Sequence, residues 1–160
     1  MRQNILLTIA LLISSFLLTG CGSTNHVGEK TYRSNLGTAT STDIQRIVPT
    51  IINRSNFMIY RHEVTLDGIY YQTEWRDRGL FDDEIALGIT NARSRIFVNA
   101  RPRTAQASSL HRVDFEVENH VKFEGEEDWN KETITDEAES YFKEIARVLS
   151  MEFSSGIRTN

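Results

Sequence analysis

The apolar residues change period along the chain, and each change predicts an element. Ile44, Ile47, Val48, Ile51 and Ile52 stand at i, i+3, i+4, i+7 and i+8, the single stripe of an amphipathic helix. Ser41, Thr42 or Asp43 can cap its start. Pro49 lies inside the stripe, where a missing N–H and a ring clash predict a kink or a late start.

After this helix the period drops to two. Asp67-Gly68 separates two alternating runs, the signature of a two-residue hairpin loop. A loop at 67–68 pairs Leu66 with Ile69, Val64 with Tyr71, His62 with Thr73 and Tyr60 with Trp75 on one face. The other face then pairs Arg61 with Glu74, Glu63 with Gln72 and Thr65 with Tyr70. Apolar meets apolar and cation meets anion, and a one-residue slip would mix the faces.

A second hairpin follows the same logic. Ile96, Val98 and Ala100 alternate with Arg93, Arg95, Phe97, Asn99 and Arg101. After a polar connection, Val113, Phe115, Val117, Val121 and Phe123 alternate with Arg112, Asp114, Glu116, Glu118, His120 and Lys122. Setting Ile96 opposite Phe115 brings Arg95 to Glu116 and Arg93 to Glu118.

The helical period returns at the C-terminus. Ala138, Tyr141, Phe142, Ile145, Ala146, Val148, Leu149 and Phe153 form a stripe that starts near Thr133 or Thr135. Asp136, Glu137 and Glu139 suit its positive end, and Gly156 suits its C′ position. The sum is an α+β fold in α-β-β-β-β-α order: a four-stranded antiparallel sheet of two hairpins, covered on one face by N- and C-terminal helices in two layers.

The first 20 residues are of another kind. Arg2 is followed by an uncharged apolar run from Ile5 to Leu18, the n-region and h-region of a secretion signal. A run of about 14 residues falls short of the about 20 that a helix needs to cross a membrane. It ends in Leu18-Thr19-Gly20-Cys21, which resembles a bacterial lipobox: an aliphatic residue, two small residues and a cysteine. The resemblance implies that the thiol of Cys21 receives a diacylglycerol, that the signal is cut before it, and that the new amine is acylated. Several chains of CH₂ groups, each worth about 0.8 kcal/mol when buried, make a durable membrane anchor. Gly22 in place of Asp after the cysteine implies, by the same resemblance, the outer membrane, with the protein facing the periplasm. Residues 21–41 then read as an acylated cysteine and flexible tether rich in Gly, Ser, Thr and Asn, spanning roughly 25 Å. Residues 42–157 read as a single domain.

Composition narrows the chemistry. Cys21 is the only cysteine, so acylation would leave the domain without thiol, disulfide or cysteine metal ligand. The net charge is −4, becoming −5 without Arg2, which offers no general attraction for nucleic acid. His62 and His111 are expected on the apolar face and His120 on the polar one, with no zinc-site spacing among them. Asp82-Asp83-Glu84 reads as a solvated loop or helix start in preference to a cation site, and so does Glu126-Glu127-Asp128. No nucleophile elbow, Ser-x-x-Lys pair or phosphate loop occurs, so neither catalysis nor a cofactor is expected.

The densest run of interface-forming residue types is Tyr70 to Arg78. With Tyr71 and Trp75 assigned to the core, Tyr70, Arg76, Arg78 and Phe97 remain as the candidate recognition surface. A helix followed by a hairpin carrying Gly-Ile-Tyr-Tyr-Gln-Thr-Glu-Trp resembles the small domains of lipoprotein subunits of the outer-membrane β-barrel assembly machinery, and no functional residue carries over from it. The expectation is a lipid-anchored, non-catalytic module that binds envelope proteins in an assembly, biogenesis or secretion complex. The alternative is a carrier for an apolar ligand or lipid in a pocket lined by Tyr60, Val98, Phe115 and Phe142.

Overall fold

A computed structural model of the chain describes residues 31–103, 109–132 and 134–156. Cys21, the expected signal and residues 22–30 of the expected tether lie outside the described residues.

The fold is α+β with an antiparallel sheet, and the sheet is larger than the four strands expected. In chain order the elements are β1 (Tyr32–Thr40), α1 (Ser41–Arg54), β2 (Ile59–Thr65), β3 (Gly68–Thr73), β4 (Arg76–Arg78), α2 (Asp82–Ala86), β5 (Ile89–Pro102), β6 (Leu110–Phe123), β7 (Asn130–Lys131) and α3 (Asp136–Gly156). The seven strands form one sheet in the order β1-β6-β5-β3-β2, with β4 added to β5 and β7 to β6.

β1 corrects the tether reading, because Tyr32–Thr40 is a strand of the sheet paired with β6. Of its nine residues only Leu36 and Ala39 are buried. Tyr32 rests edge-on against Phe115 at the margin of the core, and the exposed positions pair with β6 through polar contacts, such as the bond from Asn35 Nδ2 to Asp114 Oδ1 at 2.8 Å. A half-open strand of this kind has no apolar alternation to betray it.

α1 begins at Ser41 and continues through Pro49, so the late start is not adopted. Its cap is Thr40, one residue before the expected candidates, whose Oγ1 accepts the N–H of Asp43 at 3.1 Å. The hydroxyl donates in turn to Asp43 Oδ2 at 2.8 Å. That bond, with help from Arg46, holds the Asp43 carboxyl below its ordinary range. The helix ends in a Schellman motif with Asn56 in the left-handed region, where Phe57 N–H reaches Ile52 O at 3.1 Å and Asn56 N–H reaches Asn53 O at 2.9 Å. The expected stripe of five residues is buried as predicted.

α3 starts at Asp136 and buries Ala138, Phe142, Ile145, Ala146, Leu149 and Phe153, with Tyr141 and Val148 at the margin. It runs antiparallel to α1: Gly156 lies beside the Asp43 carboxylate, and Tyr141 lies near Ser55. Both helices pack on the sheet face formed by Ile96, Val98, Ala100, Val113, Phe115 and Val117. Val98, Phe115 and Phe142 are closed into this core while Tyr60 is 68% exposed, so the four residues proposed to line a ligand pocket are split between core and surface.

Both hairpins depart from the predicted register by two residues; the second keeps its predicted faces, while in the first Tyr60 and Trp75 leave the apolar face and join Arg95 at an outer recess. Val64 pairs with Ile69 and His62 with Tyr71, with Leu66-Asp67 as the loop. Ile96 pairs with Val117, Arg95 with Glu118 and Arg93 with His120. Gly68 explains the first shift. Its φ is +148°, and a Cβ there would stand 2.2 Å from the carbonyl oxygen of Ala100 on β5. The glycine therefore serves the close approach of β3 to β5, where the sequence reading had placed it in the turn. Among the described residues no helix is long and apolar enough to cross a membrane.

Candidate interaction surface

α1 and α3 pack on one face of the sheet, and among the described residues no helix packs on the other. Strand alternation puts Arg93, Arg95, Phe97, Asn99 and Arg101 of β5 there, beside Arg112, Asp114, Glu116, Glu118, His120 and Lys122 of β6. The observed register turns this mixture into fixed pairs. Arg95 Nε donates to Glu118 Oε2 at 2.6 Å, and Arg33 Nη2 of β1 donates to Glu116 Oε1 at 3.0 Å. His120 Nε2 lies 3.2 Å from Glu118 Oε1.

Aromatic rings are threaded between the cations. The Tyr70 and Phe97 centroids are 6.4 Å apart. The Arg95 guanidinium lies 5.1 Å from the Phe97 centroid and 4.5 Å from that of Trp75. Arg93 is sandwiched between Trp75 at 4.6 Å and Trp129 at 4.2 Å, and Lys122 Nζ covers Trp129 at 5.0 Å. The result is a ladder of rings and cations across three strands and the two loops that carry Trp75 and Trp129, each contact worth about 0.5–1 kcal/mol at an exposed site. Beside it, Tyr60, Gln72, Glu74, Trp75 and Arg95 line an open recess of about 440 Å³.

This environment moves two titrating groups. Burial pushes the Glu118 carboxyl up, but hydrogen bonds and charge from Arg95, with a further contribution from His120, outweigh it and hold the group below its ordinary range. Burial also depresses His120; Glu118 opposes the shift while Arg93 and Arg95 add to it.

Of the four residues expected to form the surface, Tyr70 and Phe97 are there together. Tyr70 donates its hydroxyl to Gln72 Oε1 at 2.9 Å. Arg76 and Arg78 are not on this face. β4, a strand beyond the four expected, pairs them with Ser94 and Ala92 and so turns both to the helix side. Arg76 donates to Ser55 O at 2.9 Å and to Tyr141 Oη at 3.1 Å, and its guanidinium rests 4.9 Å from the Phe57 ring. Arg78 is sealed in: its side chain is 4% exposed against Glu84 at 0%.

Trp75 is also reassigned, from core to outer face, because the chain leaves the β3 register before reaching β4. Arg93 and Arg95 were legible as outward residues through their alternation with Ile96, but Trp129, on the loop before β7, carried no periodic signal. The two acidic runs accept from backbone and side-chain donors. Asp83 Oδ2 accepts Glu137 N–H at 2.9 Å, Glu84 holds Arg78, and Glu126 accepts from Asn130 Nδ2 at 2.5 Å. His62 shares the face of Tyr71 as expected and stacks on it at 4.3 Å, yet it is solvent-exposed because no helix reaches under β2. His111 is half-buried, with Nδ1 unpartnered.

What this arrangement offers chemically is recognition: flat rings held by guanidinium groups, with carboxylates fixing the positions of the cations. Comparison with protein-family models and with curated proteins finds no match for the chain.

Proposed function

We propose that this is a cell-envelope lipoprotein, acylated on Cys21 and carried at the outer membrane facing the periplasm, whose domain is a non-catalytic protein-interaction module of an assembly, biogenesis or secretion complex. The observation that carries the reading is the uncovered sheet face, on which Tyr70, Phe97, Trp75 and Trp129 are interleaved with Arg93 and Arg95. Aromatic residues and arginine are the types that dominate binding energy at protein interfaces, because rigid rings give large contact area at low entropic cost. The pairing of Arg95 with Glu118 organises the surface before a partner arrives, which reduces the ordering cost of association.

The test is a photo-crosslinking residue at position 97 in the full chain, expressed in cells, compared with the same residue at exposed position 152 on α3. A discrete envelope-protein adduct is expected at 97 and not at 152, and it should weaken when Arg95 is changed to Ala. In parallel, Cys21→Ala should move the protein out of the membrane fraction. Equal crosslinking at both positions, or unchanged membrane association of Cys21→Ala, would overturn the proposal.

A further inference from the structure

The same outer face holds a second arrangement, toward the connection between β5 and β6, that the aromatic ladder does not use. The β5–β6 register sets Arg101 directly opposite Arg112. Both are exposed and both point away from the helices. Like charges at directly opposed positions destabilise a sheet, so this pair is a cost that the fold carries without a visible return. Carboxylates compensate only part of it. Arg112 lies 3.4 Å from Asp114 and Arg33 lies 3.0 Å from Glu116, whereas the Arg101 side chain has no hydrogen bond or ion pair among the described residues.

These three arginines come from three adjacent strands and line one recess of about 500 Å³, together with Asn35, Asn99, Asp114 and Glu116. Three cations against two anions leave the lining positive. Each guanidinium carries five N–H donors in a planar fork, and the carboxylate contacts of Arg33 and Arg112 occupy only part of theirs. A volume of a few hundred Å³ suits a small ligand or a headgroup.

We propose that this recess is a binding site for a phosphate-bearing anion, held by Arg101 and Arg112 as a facing pair with Arg33 at the side. A tetrahedral anion with several acceptor oxygens can take forked hydrogen bonds from more than one guanidinium at once, and its charge removes the repulsion across the strand pair. Asp114 and Glu116 keep Arg112 and Arg33 in place and moderate the affinity. The site borders the proposed protein interface, with Glu116 opposite Phe97 and Asn99 opposite Tyr70, but its three arginines take no part in that interface and the proposal does not depend on it.

The repulsion gives the proposal a distinctive sign. Removing Arg101 should weaken binding and at the same time leave the unliganded protein as stable or more stable. The test uses the full chain, with inorganic phosphate titrated against chloride at constant ionic strength and thermal unfolding as the readout. Phosphate should raise the midpoint of the natural protein, and Arg101→Gln or Arg112→Gln should weaken the apparent affinity by about tenfold or more. Arg147→Gln, which removes a cation paired with Glu144 on α3, should leave the response unchanged. A second arm measures co-sedimentation of the Cys21→Ala protein with phosphatidylglycerol vesicles and with phosphatidylcholine vesicles. A phosphate response identifies a free phosphate ligand, and Arg101-dependent binding to phosphatidylglycerol alone identifies a lipid headgroup. The proposal is overturned if neither probe binds, if the apparent affinity is unchanged in both arginine variants, or if Arg101→Gln destabilises the unliganded protein.

Discussion

The Arg78 guanidinium and the Glu84 carboxylate meet as a bidentate pair, Nη1 to Oε2 at 2.7 Å and Nη2 to Oε1 at 2.5 Å, with both side chains out of solvent. Every donor of the arginine is used. Nε reaches Ser94 Oγ at 3.2 Å, Nη1 also reaches Gly79 O at 3.1 Å, and Nη2 also reaches Asn119 Oδ1 at 3.0 Å. Glu84 accepts the Phe81 N–H at 3.1 Å as well, which fixes the start of α2. Breaking a buried pair leaves one uncompensated charge, so Glu84→Ala should cost about 3–5 kcal/mol. The double replacement Arg78→Met with Glu84→Met should cost less, because Ser94 and Asn119 retain their own 2.9 Å bond. Urea denaturation of the three proteins measures this, and a double variant weaker than Glu84→Ala would contradict it.

The start of α3 is capped from another element. Asp83 Oδ2 accepts the Glu137 N–H at 2.9 Å, and Glu137 Oε2 accepts the Asp82 N–H at 3.2 Å, so the first turns of α2 and α3 satisfy each other. Thr135, one of the two helix starts that the sequence allows, has an Oγ1 that is buried without a partner. Asp83→Ala should therefore cost about 1 kcal/mol, the usual value of a lost cap, while Thr135→Val should be neutral or stabilising. Equilibrium unfolding of the two variants separates them, and the reverse order would show that Thr135 is the cap in solution.

Gly68 offers a sharper contrast. Alanine there must displace the Ala100 carbonyl, which belongs to the backbone of a central strand and cannot move freely. Gly88 also has a positive φ, at +79°, but a Cβ there meets nothing within 4 Å. Gly88→Ala should cost about 1–2 kcal/mol from backbone conformation alone. Gly68→Ala should cost more than that and should reduce amide protection across β2 and β3 in hydrogen exchange. Equal losses at the two sites would remove the close-approach argument.

These contacts show what the chain made legible and what it hid. Alternation identified the inner faces of β3, β5 and β6 and the stripes of α1 and α3, because burial repeats with the geometry of the element. It could not determine register: a shift of two residues preserves every face, and Val64 is as plausible opposite Tyr71 as opposite Ile69, its actual partner. β1 was hidden because Tyr32 to Thr40 is mostly small and polar, the composition of a tether, and its strand character comes from pairing with β6. Arg78 was hidden for a different reason. Its partners Glu84, Ser94 and Asn119 are spread over 41 residues and meet only after the sheet has formed. A buried charge cannot be told from a surface charge until its partners are in place. On the outer face, Tyr70 and Phe97 were recoverable from alternation, whereas Trp75 and Trp129 depended on loops whose paths no period describes.

His120 and Trp75 give a pH-dependent prediction whose sign follows from the surroundings of the ring. Their centroids are 4.3 Å apart. Burial lowers the imidazole below its ordinary value, with Glu118 opposing and Arg93 and Arg95 adding to the shift. Since the folded group takes up its proton at lower pH than the unfolded one, the unfolded state binds more protons between the two values. The contribution of His120 to stability is therefore full above the ordinary histidine range, and it is lost as pH falls through the folded value. Glu118 has the same sign in a lower window, because its depressed carboxyl loses its stabilisation as pH falls below the ordinary carboxylate range. Trp75 and Trp129 are the two tryptophans of the chain, so Trp129→Phe leaves Trp75 as the sole reporter. Its fluorescence should be quenched on acidification, as a protonated imidazole forms beside the ring, with a midpoint below about 6.5. His120→Gln should remove that transition and flatten the fall in stability over the same interval. A midpoint above the ordinary histidine value would mean that the Glu118 carboxylate governs the site and burial does not.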